Sequence, residues 1–226
     1  VKNYCTYSLR RLKVDYIDIY RPSRLDPEVP IEDTVGAIKE LIDQGYVRYL
    51  GLSEMGAHTV RRAHAVHPVV DLQIEYSLLS RGIEGTILPT LRELGIGVTA
   101  YGVLSRGLIA QPGQQYGAGD FRAILPRFQG DNLAHNQALV AALHDLAATK
   151  GCTPAQLAIA WVLSRGTDIV PLVGARRRDR LAEALGALSV QLTTTELQQL
   201  EATFPAGAAH GDRYPTPLMS ALDSEK

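Results

Sequence analysis

Four arginines stand close together late in the sequence, between an apolar run and an amphipathic helix. Gly174 ends the run DIVPLVG, and Arg176, Arg177, Arg178 and Arg180 follow it. Guanidinium groups bind phosphate oxygens through paired hydrogen bonds, and a helix N-terminus favours anions. This turn therefore predicts a phosphate-binding site. The competing interpretation is a basic helix face that is only solvated.

Three other side chains that could bind a ligand stand in or directly after apolar runs. Ser53 follows YLGL, Gln73 lies inside VDLQIEY, and Tyr101 closes GVTAY. A hydroxyl or amide near the end of a strand can hydrogen-bond a ligand, and a tyrosine ring can stack on one. The alternatives are a buried amide satisfied by its neighbours at Gln73 and an ordinary core tyrosine at Tyr101.

Composition and charge exclude several classes of protein. The 226 residues carry a net charge of −1, with 46% hydrophobic and 21% charged residues, so nothing global attracts nucleic acid or an anionic membrane. No apolar run reaches the roughly 18 residues of a membrane span, and the N-terminus does not read as a signal peptide. Cys5 and Cys152 suit a reducing compartment better than a disulfide or metal site. We therefore expect a cytoplasmic protein without a metal centre.

Short apolar runs alternate with amphipathic helices, which is typical of strand–helix units around a parallel sheet. Strands are predicted over 15–20, 47–52, 70–79, 97–101 and 168–173. Helices are predicted over 32–44, 58–65, 87–94, 135–149, 154–164 and from 193 to about 203. Capping boxes, Thr153 with Gln156 and Thr193 with Glu196, mark the starts of the helices at 154 and 193.

Two segments carry no strand or helix pattern. The loop over about 104–132 is rich in Gly and Pro, and loops of that length are usually functional or disordered. Within it, Arg127 is expected to anchor the loop instead of binding a ligand. The tail after Phe204 is rich in Gly, Ala and Pro and is expected to wrap loosely.

The count of strand–helix units leaves two architectures open. Five units are present, whereas a closed barrel of parallel strands needs eight. The count therefore allows a barrel without its front third and equally an open sheet. Because the sequence begins at Val1 inside what reads as a helix, we expect a leading segment that is not included.

Six motifs narrow this choice. In order they are SLRRLKVDYIDIY, VRYLGLSE, LQIEYSLLSRGIE, GVTAYGVLSRGL, PRFQGDNL and QLAIAWVLSRGTDIVPLVGARRRDRLAEALGAL. Together they resemble the aldo-keto reductases over nearly the whole chain. The resemblance implies an α/β fold, a (β/α)8 TIM barrel to which this chain supplies about strands 4–8. Residues 1–226 would then be the C-terminal portion of a single NADP-dependent oxidoreductase barrel domain.

The resemblance also implies a cofactor and the residues that hold it. NADP(H) would lie across the carboxyl rim of the strands and reduce a small carbonyl substrate by hydride transfer. The implied contacts are Gly174, Arg176 and Arg180 at the adenosine 2′-phosphate, Glu183 at the adenosine, Ser53 and Gln73 at the nicotinamide carboxamide, Tyr101 on the nicotinamide ring, and Leu104 and Arg106 in the turn over the pyrophosphate. Glu54 and Ala184 stand where the family usually has asparagine.

The catalytic residues are the weakest part of the resemblance. The family uses Asp, Tyr, Lys and His, and the first three belong to units that precede the five counted here. At the His position this chain has Ser23, in the sequence Tyr20-Arg21-Pro22-Ser23. A serine hydroxyl can donate a hydrogen bond but has no switchable charge. Arg21 or Arg24 could supply positive charge instead.

Three functional hypotheses remain. The first is an NADP(H)-dependent reductase of aldehydes and ketones, and the alternative is a non-catalytic NADP(H)-binding or regulatory barrel subunit. The third is a half-barrel that assembles with itself into a homo-oligomer. A monomeric open sheet is disfavoured, because its unpaired edges and uncovered face would promote aggregation.

Overall fold

A computed structural model describes residues 1–110, 113, 115–117 and 119–226. Part of the loop predicted over 104–132, namely Gln111, Pro112, Gln114 and Ala118, lies outside the described residues. The described chain has an α/β fold.

Five strands of the described residues form one sheet, and their hydrogen-bonded order follows the sequence. They are β1 (Ile17–Tyr20), β2 (Val47–Ser53), β3 (Val69–Glu75), β4 (Gly97–Tyr101) and β5 (Ile169–Pro171). The β1–β2 and β2–β3 pairs are parallel, as strand–helix alternation predicts.

Helices precede β1, connect the strands and follow β5. They are α1 (Lys2–Leu12), α2 (Ile31–Asp43), α3 (Ala57–Val66), α4 (Ile87–Glu93), α5 (Gly130–Lys150), α6 (Pro154–Ser164), α7 (Arg178–Gly186), α8 (Thr194–Thr203) and α9 (Thr216–Met219). Among the described residues, no helix combines the length and the apolar character needed to cross a bilayer.

Local sequence signals located most of these elements, and the two capping boxes are confirmed. In each box the threonine side chain accepts from the backbone of the third helical residue, whose side chain accepts from the threonine backbone in return. The box at Thr153 starts α6 and the box at Thr193 starts α8.

Three predicted boundaries were wrong, each for a physical reason. The run predicted as a strand to residue 79 ends as β3 at Glu75, because Ser77 and Ser80 exchange backbone hydrogen bonds in a tight turn. Helix α5 begins at Gly130 and not at 135, because its polar first turn buries nothing and so shows no apolar period. Strand β5 spans only Ile169–Pro171, and Pro171 has no N–H to donate to a ladder.

The chain forms two compact units, and the first consists of Val1–Ile74, Ile83–Thr99 and Ser220–Lys226. Its helices bury apolar side chains such as Val35, Ile38 and Val60. Its C-terminal segment is held at the turn after β2, because Asp223 Oδ2 accepts from Gly56 N at 2.8 Å. A Cβ on Gly56 would stand 2.9 Å from the Asp223 carbonyl oxygen, so this approach requires glycine.

The second unit consists of Glu75–Gly82 and Ala100–Met219. Helix α6 is its core element, and the Trp161 ring packs against the Tyr76 ring with centroids 5.3 Å apart. The expectation of a loose tail was wrong. Arg213 is only 6% exposed, because its guanidinium bonds the buried Glu75 carboxylate at 3.2 Å.

Candidate functional site

In the first unit, Ser53 and Gln73 face each other across neighbouring strands. The register of β2 and β3 pairs the two residues, and Glu54 N donates to the Gln73 carbonyl oxygen at 3.0 Å. Ser53 is buried and Gln73 is partly exposed. Within the described ranges neither side chain has a hydrogen-bond partner. The Gln73 carboxamide is therefore available to a ligand and is not satisfied by its neighbours.

A second polar group on this sheet was not predicted as part of the site. Asp71 is 7% exposed, and its carboxylate accepts from Arg21 Nε at 2.5 Å and from Thr99 Oγ1 at 2.6 Å. The sequence did carry a signal for it: Asp71 and Gln73 are two residues apart in an apolar run, which puts their side chains on one face of a strand.

Ser23 does not join this group. It is exposed, and its carbonyl oxygen accepts from Arg24 Nη1 at 2.5 Å. The Arg24 side chain is thereby turned toward its own backbone, while Arg21 reaches across the sheet to Asp71. Of the three residues considered for the histidine's role, only Arg21 lies beside other polar residues of the sheet.

Glu54, at a position where the resemblance implies asparagine, is directed at the C-terminal segment. It is fully buried, its φ of 52° is left-handed, and Ser224 Oγ donates to its Oε2 at 2.6 Å. Ser224 N also donates to the Glu54 carbonyl oxygen at 3.2 Å. A left-handed conformation at a non-glycine residue costs free energy and persists only where contacts impose it. Here the C-terminal segment imposes it and so fixes the turn that follows Ser53.

In the second unit, the arginine-rich turn borders a cleft of about 600 Å³, counting its open mouth. Its lining residues are Leu104, Ala110, Ala155, Ile159, Val173, Gly174, Arg180, Glu183 and Ala184. Four of the sequence-predicted residues, Leu104, Gly174, Arg180 and Glu183, are thus brought together. Residues of the loop after β4 and of the turn after β5 therefore line one cleft.

The arginines of this turn differ in whether they have an ion-pair partner. Arg180 Nη1 bonds Glu183 Oε2 at 2.7 Å, and Arg177 Nη2 bonds Asp179 Oδ2 at 2.6 Å. The hydrogen bond from Arg177 holds the pKa of the Asp179 carboxyl below its usual value. Arg176 is exposed and has no ion-pair partner within the part of the chain that is described. Its guanidinium is available to an anion.

Helix α6 fixes the position of Glu183. The capping glutamine Gln156 donates from Nε2 to the Glu183 carbonyl oxygen at 3.0 Å. A Cβ on Gly186 would stand 2.3 Å from the same Nε2, so Gly186 leaves room for this bond. One local cap therefore positions a residue of the cleft.

The turn after β4 has left-handed backbone conformations and is fixed by hydrogen bonds and an ion pair. The carbonyl oxygen of Tyr101 accepts from Tyr76 N at 3.1 Å, and Ser105 and Arg106 have left-handed φ values of 48° and 56°. Arg106 Nη2 bonds Glu75 Oε2 at 3.2 Å, and its Nη1 donates to the Arg213 carbonyl oxygen at 2.8 Å. Because the Arg106 side chain is engaged by the protein, the turn offers a ligand mainly its backbone.

Glu75 is the centre of this arrangement and was not predicted. It is 4% exposed and accepts from Ser80 Oγ at 2.8 Å in addition to Arg106 and Arg213. Arg127 Nη1 donates to Ser80 Oγ at 2.6 Å, and its Nε donates to the Gly211 carbonyl oxygen at 3.1 Å. These bonds agree with the expectation that Arg127 anchors the long loop.

Comparison with known proteins agrees with the motifs. The model of the Aldo/keto reductase family matches residues 1–204. "Probable aldo-keto reductase 1" of Glycine max is 43% identical over 216 residues, which are 95% of this chain and 62% of that protein.

Two solved structures are similar in fold. The glycerol dehydrogenase AKR11B4 from Gluconobacter oxydans is 27% identical with a TM-score of 0.85, over 93% of this chain and 65% of that one. The thermostable aldo-keto reductase Tm1743, solved in complex with the inhibitor epalrestat, is 26% identical with a TM-score of 0.72, over 88% and 64%. The chain therefore spans a little under two thirds of the length of these relatives.

Proposed function

We propose, from the premise that this chain belongs to the Aldo/keto reductase family, that it takes part in the NADP(H)-dependent reduction of aldehydes or ketones to alcohols. Its five strands would be strands four to eight of a (β/α)8 barrel. Residues 1–226 would form the C-terminal portion of a single oxidoreductase domain. The strand order, the motif order and the similar solved structures support this proposal.

One observation carries the choice of cofactor, namely the cleft beside the arginine-rich turn. Gly174, Arg180 and Glu183 line it, and Arg176 stands on the same turn with no ion-pair partner among the described residues. Guanidinium groups at the start of α7 suit a phosphate dianion. The extra phosphate on the adenosine ribose distinguishes NADP from NAD, so this turn favours NADP(H). The donor set therefore fits the cofactor.

The proposed roles are those that the resemblance to the family implies for these residues. Arg176 and Arg180 bind the 2′-phosphate, and Glu183 accepts hydrogen bonds from the adenosine. Leu104 and the backbone at Arg106 cover the pyrophosphate, and the Tyr101 ring stacks on the nicotinamide. Ser53 and Gln73 hydrogen-bond the carboxamide. When bound, the reduced nucleotide supplies the hydride for the carbonyl carbon.

The family's Asp, Tyr and Lys belong to the first three units of the barrel, and the five units here correspond to the last five. At the histidine position, Ser23 is assigned a hydrogen bond to the carbonyl oxygen, since a hydroxyl can donate one but carries no charge. The substrate is proposed to be a small carbonyl compound and the location the cytoplasm. Assembly into a homo-oligomer is compatible with this proposal.

Nucleotide binding by the full-length protein tests the proposal. We expect quenching of the intrinsic tryptophan fluorescence to show tighter binding of NADPH than of NADH. Arg176→Gln and Arg180→Gln should each weaken NADPH binding roughly tenfold to a hundredfold, since a hydrogen bond to a charged group contributes about 1.5–3 kcal/mol. Binding of NADH should change little.

Arg177→Gln is the matched control, because Arg177 is paired with Asp179 and, unlike Arg180, does not line the cleft. Equal affinities for the two nucleotides, unchanged by Arg176→Gln and Arg180→Gln, would contradict the NADP assignment. Binding of NADPH without reduction of 4-nitrobenzaldehyde would indicate the non-catalytic subunit instead.

A further inference from the structure

The Arg21 side chain crosses the sheet of the first unit over Gly51, which has no side chain to obstruct it. It directly follows Tyr20, which pairs with Leu50, so it lies beside Gly51, and Gly51 in turn pairs with Asp71. A Cβ on Gly51 would stand 2.7 Å from Arg21 Cγ and 2.8 Å from Ile19 Cγ2. Any other residue at Gly51 would therefore obstruct the Arg21 side chain.

The far end of this path holds the guanidinium in one orientation. Arg21 Nε donates to Asp71 Oδ2 at 2.5 Å, and Thr99 Oγ1 fixes the other carboxylate oxygen at 2.6 Å. The Arg21 side chain is 25% exposed and the Asp71 side chain 10%. Asp71 binds only Nε. The two terminal nitrogens of Arg21 have no hydrogen-bond partner among the residues that the structure describes.

The free nitrogens lie on the sheet face that carries the proposed carboxamide ligands. Gly51 and Ser53 are two residues apart on β2, and Asp71 and Gln73 are two apart on β3, so each pair shares one face. A step of two residues along a strand is about 6.6 Å. Arg21 therefore presents N–H groups with no partner among the described residues about one such step from the pair Ser53 and Gln73.

We propose that Arg21 supplies the positive charge that stabilises the carbonyl oxygen during reduction, the charge that Ser23 cannot supply. This inference rests on the proposed function. As hydride forms a bond to the carbonyl carbon, the π pair of C=O moves onto the oxygen and the nucleotide is oxidised. The oxygen then takes a proton from a hydroxyl group or from water. The Arg21 guanidinium donates hydrogen bonds to that oxygen and keeps its own protons.

Asp71 and Thr99 are positioning residues in this arrangement, since they act only through Arg21. Fixed donors aimed at developing charge act on turnover more than on binding of the ground state. The loss of Arg21 should therefore lower kcat and leave the affinity for NADPH unchanged.

The test compares two arginines that flank Ser23 in the full-length protein, with NADPH and 4-nitrobenzaldehyde as substrates. Arg21→Gln is expected to lower kcat on the order of 100-fold, the usual effect of removing one such donor. The affinity for NADPH, measured by fluorescence quenching, should stay within about twofold. Arg24→Gln is the matched control and should retain wild-type kcat, because among the described residues Arg24 bonds only the backbone of Ser23.

The double variant Arg21→Met, Asp71→Leu separates catalysis from folding. Replacing a buried ion pair by apolar residues of similar volume is often neutral for stability. This variant should therefore keep a thermal midpoint near that of the wild type, with a small decrease from the lost Thr99 hydrogen bond. It should keep its NADPH affinity but lose kcat as Arg21→Gln does.

Two results would overturn the inference: wild-type kcat in either variant, or an equal loss in Arg24→Gln. A wild-type protein that does not reduce the aldehyde would instead refute the proposed function itself. The two failures are thus distinguishable.

Discussion

The buried cluster of Glu75 with Arg106 and Arg213 allows a direct test of what stabilises the second unit. Glu75→Gln keeps the size of the side chain but removes the charge that faces Arg106 and Arg213. Removing one partner of a buried ion pair typically costs 3–5 kcal/mol, because the remaining charge stays buried without compensation. Glutamine keeps one acceptor oxygen, so we expect a loss of about 3 kcal/mol in the free energy of unfolding.

Thermal and urea unfolding of the full-length protein measure this loss. For a domain of about 150–250 residues, about 3 kcal/mol corresponds to a fall of roughly 6–12 °C in Tm, and the fall is smaller for a longer domain. The control is Glu93→Gln, which breaks an exposed pair with Arg61. Exposed pairs contribute little, so its melting curve should nearly overlay that of the wild type. If Glu75→Gln is no less stable than Glu93→Gln, the buried cluster does not hold the second unit together.

Two further predictions concern the capping boxes. Hydrogen bonds from Lys150 and Thr193 lower the pKa of Glu196 from 4.5 to about 2. The stabilisation that ionised Glu196 contributes to the folded state should be complete above about pH 4.5 and lost as the pH falls toward 2. The melting temperatures of wild type and Glu196→Gln should therefore converge over that interval. A constant difference between them would contradict this. Thr153→Ala removes the N-cap of α6 and should lower the free energy of unfolding in urea by about 1 kcal/mol. The control Thr149→Ala removes only a hydroxyl bonded within α5 and should lower it less. The reverse order would argue against the cap.

The structure explains why some of the proposed site residues could be selected from the sequence. Ser53, Tyr101 and Gly174 each stand at or just after the end of an apolar run, and strand ends can be read from such runs. The Arg176–Arg180 turn was visible as a local concentration of charge before a helix. These are signals between near neighbours in the chain.

The sequence did not indicate the roles of Glu75 and Asp71, because these depend on residues that are distant in the chain. Both lie inside a run whose apolar character dominates, and their partners are far away in the sequence. Arg213 lies 138 residues from Glu75, and Arg21 lies 50 residues from Asp71. Periodicity and capping describe neighbours within about one helical turn, so they contain no information on such pairs.

The sequence by itself determined the strand–helix order, the two capped helices and the family. Each of these depends on hydrogen bonds and side-chain patterns within a few residues, or on motifs that keep their order. Only the tertiary structure decided which of Arg21, Ser23 and Arg24 lies beside Asp71. The three residues lie within four positions of one another, so their place in the sequence does not distinguish them. Only in the fold does the Arg21 side chain pass over Gly51 and reach the Asp71 carboxylate.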